Sequence, residues 1–565
     1  STPHSSHPSA GRAVALACPP SSTGIGHTRW ATHGRVSEEN AHPHSDSSDR
    51  VHVVVNGIVE NYLALKQRLE DTGAVFTSQT DAEVIAHLIA HHMVGVTLSD
   101  AVRAATGELV GHYAFVAMSH EEPDVLVGVR KECPLVVGRG EGEQFFASAI
   151  PAFLAYTRNV QYINDGEIVV LRPEGTTFLD LDGAVLERSV VEVDWDEETA
   201  EKGGYETFML KEIHEQADAL AETISDRLAR PDAVDLSAPG ALNEDLLRGV
   251  ERIVMVACGT SFNAGLIGRY AIEEWARIPV DMDIASEYRY RNPVVGPGDL
   301  VVGITQSGET ADTLAAMRLA GERGARVLAI TNIMGSQATR EADGVLYTRA
   351  GLEVSVAATK TFVCQVAVLY LLALRLAEMR GTLRPEEIRR LIGEIKGLPH
   401  KVAELLTVTD LHEIAKAHKD ADFFLYLGRH AGRAVALEGA LKLKEISYIA
   451  TDAYAAGEMK HGPIALLDES TPVVCVATNS PVLEKMVSNM QEVRARGAHV
   501  IAIASEGDLT IGEHAEQVIR VPCTDSMLQP LLAVIPLQLL AYEIARLRGL
   551  NVDQPRNLAK TVTVE

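Results

Sequence analysis

The feature that most restricts the fold is an internal repeat in the second half of the chain. Glu322-Arg-Gly-Ala-Arg-Val-Leu-Ala-Ile330 is echoed by Ala495-Arg-Gly-Ala-His-Val-Ile-Ala-Ile503. In the same register, Val301-Val-Gly-Ile-Thr-Gln-Ser307 is echoed by Val474-Cys-Val-Ala-Thr-Asn-Ser480. A unit this long, used twice, is a duplicated domain rather than a solenoid of short repeats. Apolar runs such as Arg252–Ala257, Leu300–Ile304 and Val327–Thr331 alternate with helix-length segments. That alternation is the mark of a parallel sheet covered by helices on both faces.

At 565 residues the chain exceeds what one hydrophobic core can serve, so the repeat accounts for only part of it. Upstream, β-rich runs (Val51–Val55, Asp124–Val127, Phe145–Ala147, Glu167–Leu171) are separated by Gly and Asn turns, and Asp81–His92 has helical spacing. These predict an α+β sandwich. Between Val190 and Gly204 the sequence turns acidic and ends in Gly-Gly, the composition of a solvated linker. The first twenty residues lack a basic signal-peptide start and read as a loose tail.

Charge and cysteine usage exclude several classes of function. A formal net charge of −26 with no Lys/Arg-rich run makes nucleic acid a poor partner. Six cysteines, Cys18, Cys133, Cys258, Cys364, Cys475 and Cys523, show neither CxxC pairing nor zinc-type spacing, which favours a reduced, cytoplasmic protein without a metal site. The most apolar stretch, Phe362–Met379, contains Gln365 and Arg375 and reads as a buried helix rather than a membrane span.

Thr305-Gln-Ser-Gly-Glu-Thr310 follows an apolar strand and precedes a helical stretch from Ala311. Its hydroxyls, amide and close-approaching Gly308 would sit at the C-terminal edge of a parallel sheet and at a helix N-terminus, a geometry that binds phosphate. An isolated S-G-x-T more often only caps a helix. Here Cys258-Gly-Thr-Ser261 follows the preceding strand, and two such turns can converge on one ligand. The matching turn of the second repeat, Leu427-Gly-Arg429, lacks the Ser/Thr cluster. That repeat carries instead Glu438-Gly-Ala-Leu-Lys-Leu-Lys-Glu445, with Lys442 and Glu445 three apart, which alone reads as a surface ion pair. Gly457-Glu-Met-Lys-His-Gly-Pro463 then places His461 in a Gly/Pro-bounded turn. A carboxylate and a histidine beside a sugar phosphate can divide ring opening and proton transfer.

Taken together, these motifs resemble those of the isomerising glutamine:fructose-6-phosphate amidotransferase family. The resemblance runs from Gly24 onward. It is carried by Gly26-His-Thr-Arg-Trp-Ala-Thr-His-Gly34, Asn56-Gly57, Ala257-Cys-Gly-Thr-Ser261, Gln306-Ser-Gly-Glu-Thr310, Glu438 to Ser447, Gly457 to Pro463 and Asp553-Gln-Pro-Arg-Asn-Leu-Ala-Lys-Thr-Val-Thr-Val-Glu565. It implies sugar-phosphate contacts from Thr260, Ser261, Thr305, Gln306, Ser307, Thr310 and Val356. It also implies ring opening by His461, proton transfer by Glu445, tuning by Lys442 and an imine formed by Lys560, whose amine would need burial or nearby cations to lower its pKa. Arg29 and Asp81 would hold glutamine, His33 would shape its pocket, Asn56 and Gly57 would form an oxyanion hole, and Trp30 would border an ammonia path.

The implied architecture is α/β: an N-terminal-nucleophile-type glutaminase domain followed by two doubly wound sugar isomerase domains. The expected boundaries are a tail over 1–23, the glutaminase-like domain over 24–198, a linker with leading helices over 199–243, and the first isomerase domain over 244–383. Connecting helices over 384–413, the second isomerase domain over 414–550 and a closing tail over 551–565 complete the chain. The resemblance further implies a homodimer in which His461 serves the partner's sugar site, and chemistry without cofactor, metal, nucleic acid or membrane. The family begins with a Cys whose own α-amine activates its thiol, whereas this sequence begins Ser1-Thr-Pro-His, and the internal Cys18 has no free α-amine. The expectation is that the chain as it stands does not hydrolyse glutamine, a missing start being favoured over a lost activity. The other readings are a sugar-phosphate isomerase or ammonia-dependent aminating enzyme with a dead glutaminase domain, and a non-catalytic sugar-phosphate sensor.

Overall fold

The computed structural model describes residues 22–27, 37–131, 133, 135–148, 150–193, 202, 204–237 and 242–562. The described residues up to 193 form one compact unit, and those from 202 to 562 form a second.

In the first unit, Val51–Val59 is the strand around which the rest is laid. Its alternation sends Val51, Val53 and Val55 into a core shared with the helices Tyr62–Asp71, Glu83–His92 and Leu98–Thr106, while Val54 faces the opposite way. The strand pairs antiparallel with His44–Ser45 and Gly111–Ser119. Glu122–Lys131, Ile168–Arg172, Gly175–Leu179 and Val185–Leu186 complete a seven-stranded sheet. A second antiparallel sheet (Val191–Glu192, Asn159–Tyr162, Val136–Arg139, Gln144–Ala147) packs through Leu135, Val137 and Ile163 onto the face that carries Val54 and Val116. The strands and the helix expected from the sequence are present. Gly111–Ser119, the central partner of Val51–Val59, was not read, because its residues interleave small side chains with aromatics and show no clean alternation.

In the second unit the repeat becomes two five-stranded sheets, parallel throughout and of identical topology. The first runs Val280–Ile284, Arg252–Ala257, Asp299–Ile304, Arg326–Thr331, Gly344–Tyr347. The second runs Ala450–Ala455, Phe423–Gly428, Pro472–Ala477, His499–Ser505, Gln517–Val521. Both halves of the sequence echo fall on corresponding third and fourth strands. Chain order reverses between the first and third strands, and there the two loops leaving the sheet diverge and open a crevice.

The helices repeat as well. In the first domain the long Lys360–Arg380 helix packs on Gly259–Ala271, and in the second Gln529–Leu547 packs on Gly432–Ser447. Each pair approaches over a glycine. A Cβ on Gly268 would lie 2.9 Å from Leu369 Cβ, and one on Gly439 would lie 2.6 Å from Leu537 Cδ1. Gly259–Ala271 and Gly432–Ser447 also pack on each other, so one apolar core runs through both domains. Lys360–Arg380 and Gln529–Leu547 are long and apolar enough to cross a membrane, and both are mostly buried in this core.

Candidate sugar-phosphate site

The crevice of the first parallel-sheet domain lies between Cys258-Gly-Thr-Ser261, after the first strand, and Thr305-Gln-Ser-Gly-Glu-Thr310, after the third. Gly259 and Gly308 both adopt positive φ, 53° and 70°, which lets each loop turn sharply into its helix. In the second loop the Thr305 and Thr310 hydroxyls are 2.9 Å apart, and Thr305 Oγ1 accepts from the Gly308 N–H at 3.2 Å. Ser307 Oγ accepts from the Glu309 N–H at 3.1 Å, and the Glu309 carboxylate is drawn aside by the Gln337 N–H at 2.8 Å. The loop thus holds its hydroxyls within its own turn and its one acidic side chain on a backbone donor.

Against the helix that begins at Gly259 lies the helix Gly432–Ser447 of the second domain. Lys442 is fully buried, with Nζ 2.6 Å from Glu445 Oε2 and 3.4 Å from Glu438 Oε1, and it donates to Thr260 Oγ1 at 3.0 Å. Thr260 in turn donates to Glu438 Oε1 at 3.0 Å, and Asn263 donates to Glu438 Oε2 at 2.8 Å. The pair expected on the surface is thus inside the molecule, because its helix lies against the helix that begins at Gly259. Burial pushes the Glu438 carboxyl above its ordinary range, an effect that Lys442 opposes. Burial pulls Lys442 down, but the carboxylates of Glu445 and Glu438 outweigh it and raise the lysine above its usual value. Lys442 is therefore a fixed cation, and Glu445, 21% exposed at its side chain, is the member of the group open to a ligand.

The C-terminal segment completes the crevice. Asp553 anchors it by accepting from the Phe208 and Met209 N–H groups at 3.0 and 2.8 Å, while its own carbonyl accepts from Val356 N–H at 2.9 Å. Arg556 stacks over Tyr448, with its guanidinium 4.2 Å from the ring centre, at the end of the Gly432–Ser447 helix. Lys560 donates to the buried Glu353 at 2.5 Å, and the Val562 carbonyl accepts from the Ala311 N–H at 3.3 Å, directly after Thr310. One segment thereby ties the hydroxyl loop, the Val356 loop and the helix of Lys442 and Glu445 to a single edge.

Thr260, Ser261, Thr305, Gln306, Ser307, Thr310, Val356, Lys442, Glu445 and Lys560 thus gather in one region. His461 does not join them. It ends a short 3-10 helix, Ala456–His461, rather than lying in an open turn; it is exposed and has no hydrogen-bonding or ion-pair partner among the described residues. Lys560, for whose amine burial or nearby cations were expected, faces the carboxylate of Glu353. Sequence reasoning missed Glu353, Glu212 and Gln365. Gln365 donates to Ser261 Oγ at 3.0 Å, and no local spacing signals partners that lie so far apart in the chain. In the second domain, Arg429 at the equivalent turn donates to Asn489 at 2.9 Å and is turned away from a ligand role.

In the first unit, Asn56 and Gly57 lie on the Val51–Val59 strand, with Gly57 at φ 98°. Asp81 is clamped to the same strand by the Val59 N–H at 2.7 Å, and Asn56 Oδ1 is 2.8 Å from His27 Nε2. Arg29, Trp30 and His33 lie outside the described residues.

Comparison with known proteins agrees with the architecture of an antiparallel N-terminal unit followed by two parallel-sheet domains. Residues 246–375 and 419–548 each match the SIS domain, and residues 27–155 match a glutamine amidotransferase domain. A Methanosarcina mazei protein named glutamine–fructose-6-phosphate aminotransferase (isomerizing) is 49% identical over 553 residues, covering 96% of this chain and 90% of that one. A relative of the same name from Symbiobacterium thermophilum is 52% identical over 544 residues, covering 96% and 89%. The solved C-terminal domain of glucosamine-fructose-6-phosphate aminotransferase from Francisella tularensis superimposes with a TM-score of 0.60 at 39% identity, covering 63% of this chain and all of that one. With its duplicated parallel-sheet domains, its antiparallel N-terminal domain and identity near one half along almost its whole length, the chain belongs to the isomerizing glutamine–fructose-6-phosphate aminotransferase family.

Proposed function

We propose that this enzyme converts fructose 6-phosphate to glucosamine 6-phosphate with nitrogen taken from glutamine. The observation that carries the reading is the C-terminal segment, which brings Lys560 to the sheet edge where Thr305, Ser307 and Thr310 cluster and where Lys442 and Glu445 arrive from the second domain. In this reading Thr305, Gln306, Ser307 and Thr310 hold the phosphate. Thr260, Ser261 and Val356 line the sugar. Lys560 forms an imine at C2 of the open-chain ketose, Glu445 carries the proton between C1 and C2, and the fixed charge of Lys442 stabilises the negative charge that develops between them. Asn56 and the Gly57 N–H polarise the glutamine amide, while Arg29, Asp81 and His33 hold the amino acid and Trp30 borders the route of ammonia.

His461, exposed and without a partner among the described residues, fits a role in ring opening at a site on a second copy, so the functional form is a homodimer. The chemistry needs neither metal nor redox cofactor, and the scattered cysteines suit a cytoplasmic setting. In a protein that carries the family's N-terminal Cys, incubation with fructose 6-phosphate and glutamine labelled with 15N at the amide should give labelled glucosamine 6-phosphate, whereas the chain beginning at Ser1 should aminate only from ammonium salt. An enzyme running on ammonia alone would aminate only with ammonium salt and release no glutamate, and absence of aminated product from either donor would refute the reading. A mixed dimer of His461→Ala and Lys560→Ala chains should recover activity that neither parent has, and its failure to do so would refute the shared site.

A further inference from the structure

The group that Lys560 meets is a carboxylate, and that carboxylate is buried to a degree that only a dedicated partner explains. Glu353 has no exposed side-chain surface. Its Oε1 accepts from the N–H groups of Thr359 and Thr361 at 2.9 and 3.2 Å, and its Oε2 accepts from the Thr361 hydroxyl at 2.7 Å and Lys560 Nζ at 2.5 Å. Glu212, on the helix capped by Asp553, grips the next two residues of the same loop. It accepts from the N–H groups of Val354 and Ser355 at 2.5 and 3.2 Å and from the Ser355 hydroxyl. Two carboxylates thus fix one loop from opposite ends of its sequence, and the only ammonium hydrogen-bonded to the pair among the described residues is that of Lys560.

We propose that Glu353 is the positioning residue of Lys560, holding its ammonium at the sugar site and accepting its proton when the ketose is in place, with Glu212 fixing the loop that carries Glu353. The proposal rests on the reading of Lys560 as the imine-forming lysine. In the step, the N–H bond of the ammonium breaks as an O–H bond forms on Glu353 Oε2. The freed lone pair then attacks C2 of the open-chain sugar, and the carbonyl electron pair moves onto its oxygen. Burial alone would raise Glu353, yet the charge and hydrogen bond of Lys560, with the Thr359 and Thr361 donors, hold it at about 2. The largest part of that lowering comes from Lys560 itself and disappears once the lysine becomes a neutral amine, so the acceptor strengthens as the transfer proceeds. Burial, reinforced by the charge of Glu353, pushes Glu212 up to about 7. The groups facing Glu353 are Glu212, Cys364 on the Lys360–Arg380 helix, Lys442 across the crevice and Lys560. Lys360, at the start of that helix, is taken up by Glu215 at 2.7 Å.

The test compares the full-length enzyme with Glu353→Gln and Glu353→Asp, following kcat and KM for fructose 6-phosphate against pH. Glu353→Gln keeps a side-chain acceptor for the Thr359 and Thr361 N–H groups but removes the charge that favours the ammonium. Its kcat should fall by about 10²-fold, with KM within about threefold because the Thr305–Thr310 contacts are untouched. The alkaline rise in kcat should move to lower pH, by about one unit or more. Glu353→Asp keeps the charge one methylene short, so it should restore the wild-type limb and part of the rate, and it carries the test if the glutamine variant does not fold. A Glu353→Gln enzyme with kcat within about threefold of wild type and an unmoved limb overturns the inference, as does a loss confined to KM. Borohydride trapping with fructose 6-phosphate separates the two layers of the proposal. A wild-type enzyme that gives no adduct on Lys560 removes the imine reading and this inference with it, whereas equal trapping rates in wild type and Glu353→Gln at every pH remove this inference alone.

Discussion

At the scale of single residues, the hydroxyl loop tolerates less than its composition suggests. A Cβ on Gly308 would lie 2.0 Å from Ser336 Oγ and 2.4 Å from Ser336 Cβ, in a backbone region that already disfavours side chains. Gly308→Ala should therefore destabilise the first isomerase domain by about 1–3 kcal/mol. It should also weaken fructose 6-phosphate binding about tenfold or more as the donors shift, measured by calorimetry; unchanged affinity would place the phosphate elsewhere. The turn itself was legible in the sequence, because an apolar run, a glycine set among hydroxyls and an amide, and a helical stretch follow one another. The burial of Lys442 was not. Nothing within Glu438–Glu445 reports that a second helix, beginning at Gly259, covers its face. Glu353 and Glu212 were hidden for the same reason, since each earns its role from a partner remote in the chain.

Among the elements, the C-terminal segment is held by contacts that can be removed one at a time. The Asp553 carboxylate accepts from the first N–H groups of the helix Phe208–His214, which have no partner within the helix. Asp553→Ala should cost about 1–2 kcal/mol as a lost cap. It should also reduce kcat more than it raises KM, because the segment that carries Lys560 loosens while the hydroxyl loop stays intact. A Tm unchanged by the substitution would contradict the capping role. The path of the segment could be read only in outline: Pro555 argues against a helix, but the anchors at Phe208, Val356, Tyr448 and Ala311 are tertiary. By contrast, the strands of the isomerase domains stood out because a fully buried parallel sheet makes continuous apolar runs.

For the molecule as a whole, stability against acid depends on buried carboxylates in each of the two units. In the first, burial would raise the Glu83 carboxyl, but His87, Ser78 and the N–H groups of Thr77 and Ser78 together lower it to about 2. Its folded pKa lies below its unfolded one, so the stability it provides is present above about pH 4.5 and is lost as pH falls toward about 2. Acid unfolding of this unit should flatten over that window in Glu83→Gln, whose stability at neutral pH should be lower by roughly 2 kcal/mol once solvent screening is allowed for. Parallel acid titrations of the two proteins would contradict this. The repeat made the two five-stranded sheets of the second unit readable from a few quoted peptides, since one domain duplicated halves the problem. What the repeat could not reveal is that the Gly432–Ser447 helix of the second copy packs on the Gly259–Ala271 helix of the first, with Lys442 bonded to Thr260.

The account turns on Lys560 as the residue that binds the sugar covalently. The direct measurement is borohydride reduction of the enzyme with fructose 6-phosphate, followed by peptide mass analysis. The account predicts a substrate-dependent sugar adduct on Lys560 within the segment from Asp553; an adduct on Lys442 or Lys444, or full isomerising activity in Lys560→Arg, would contradict it.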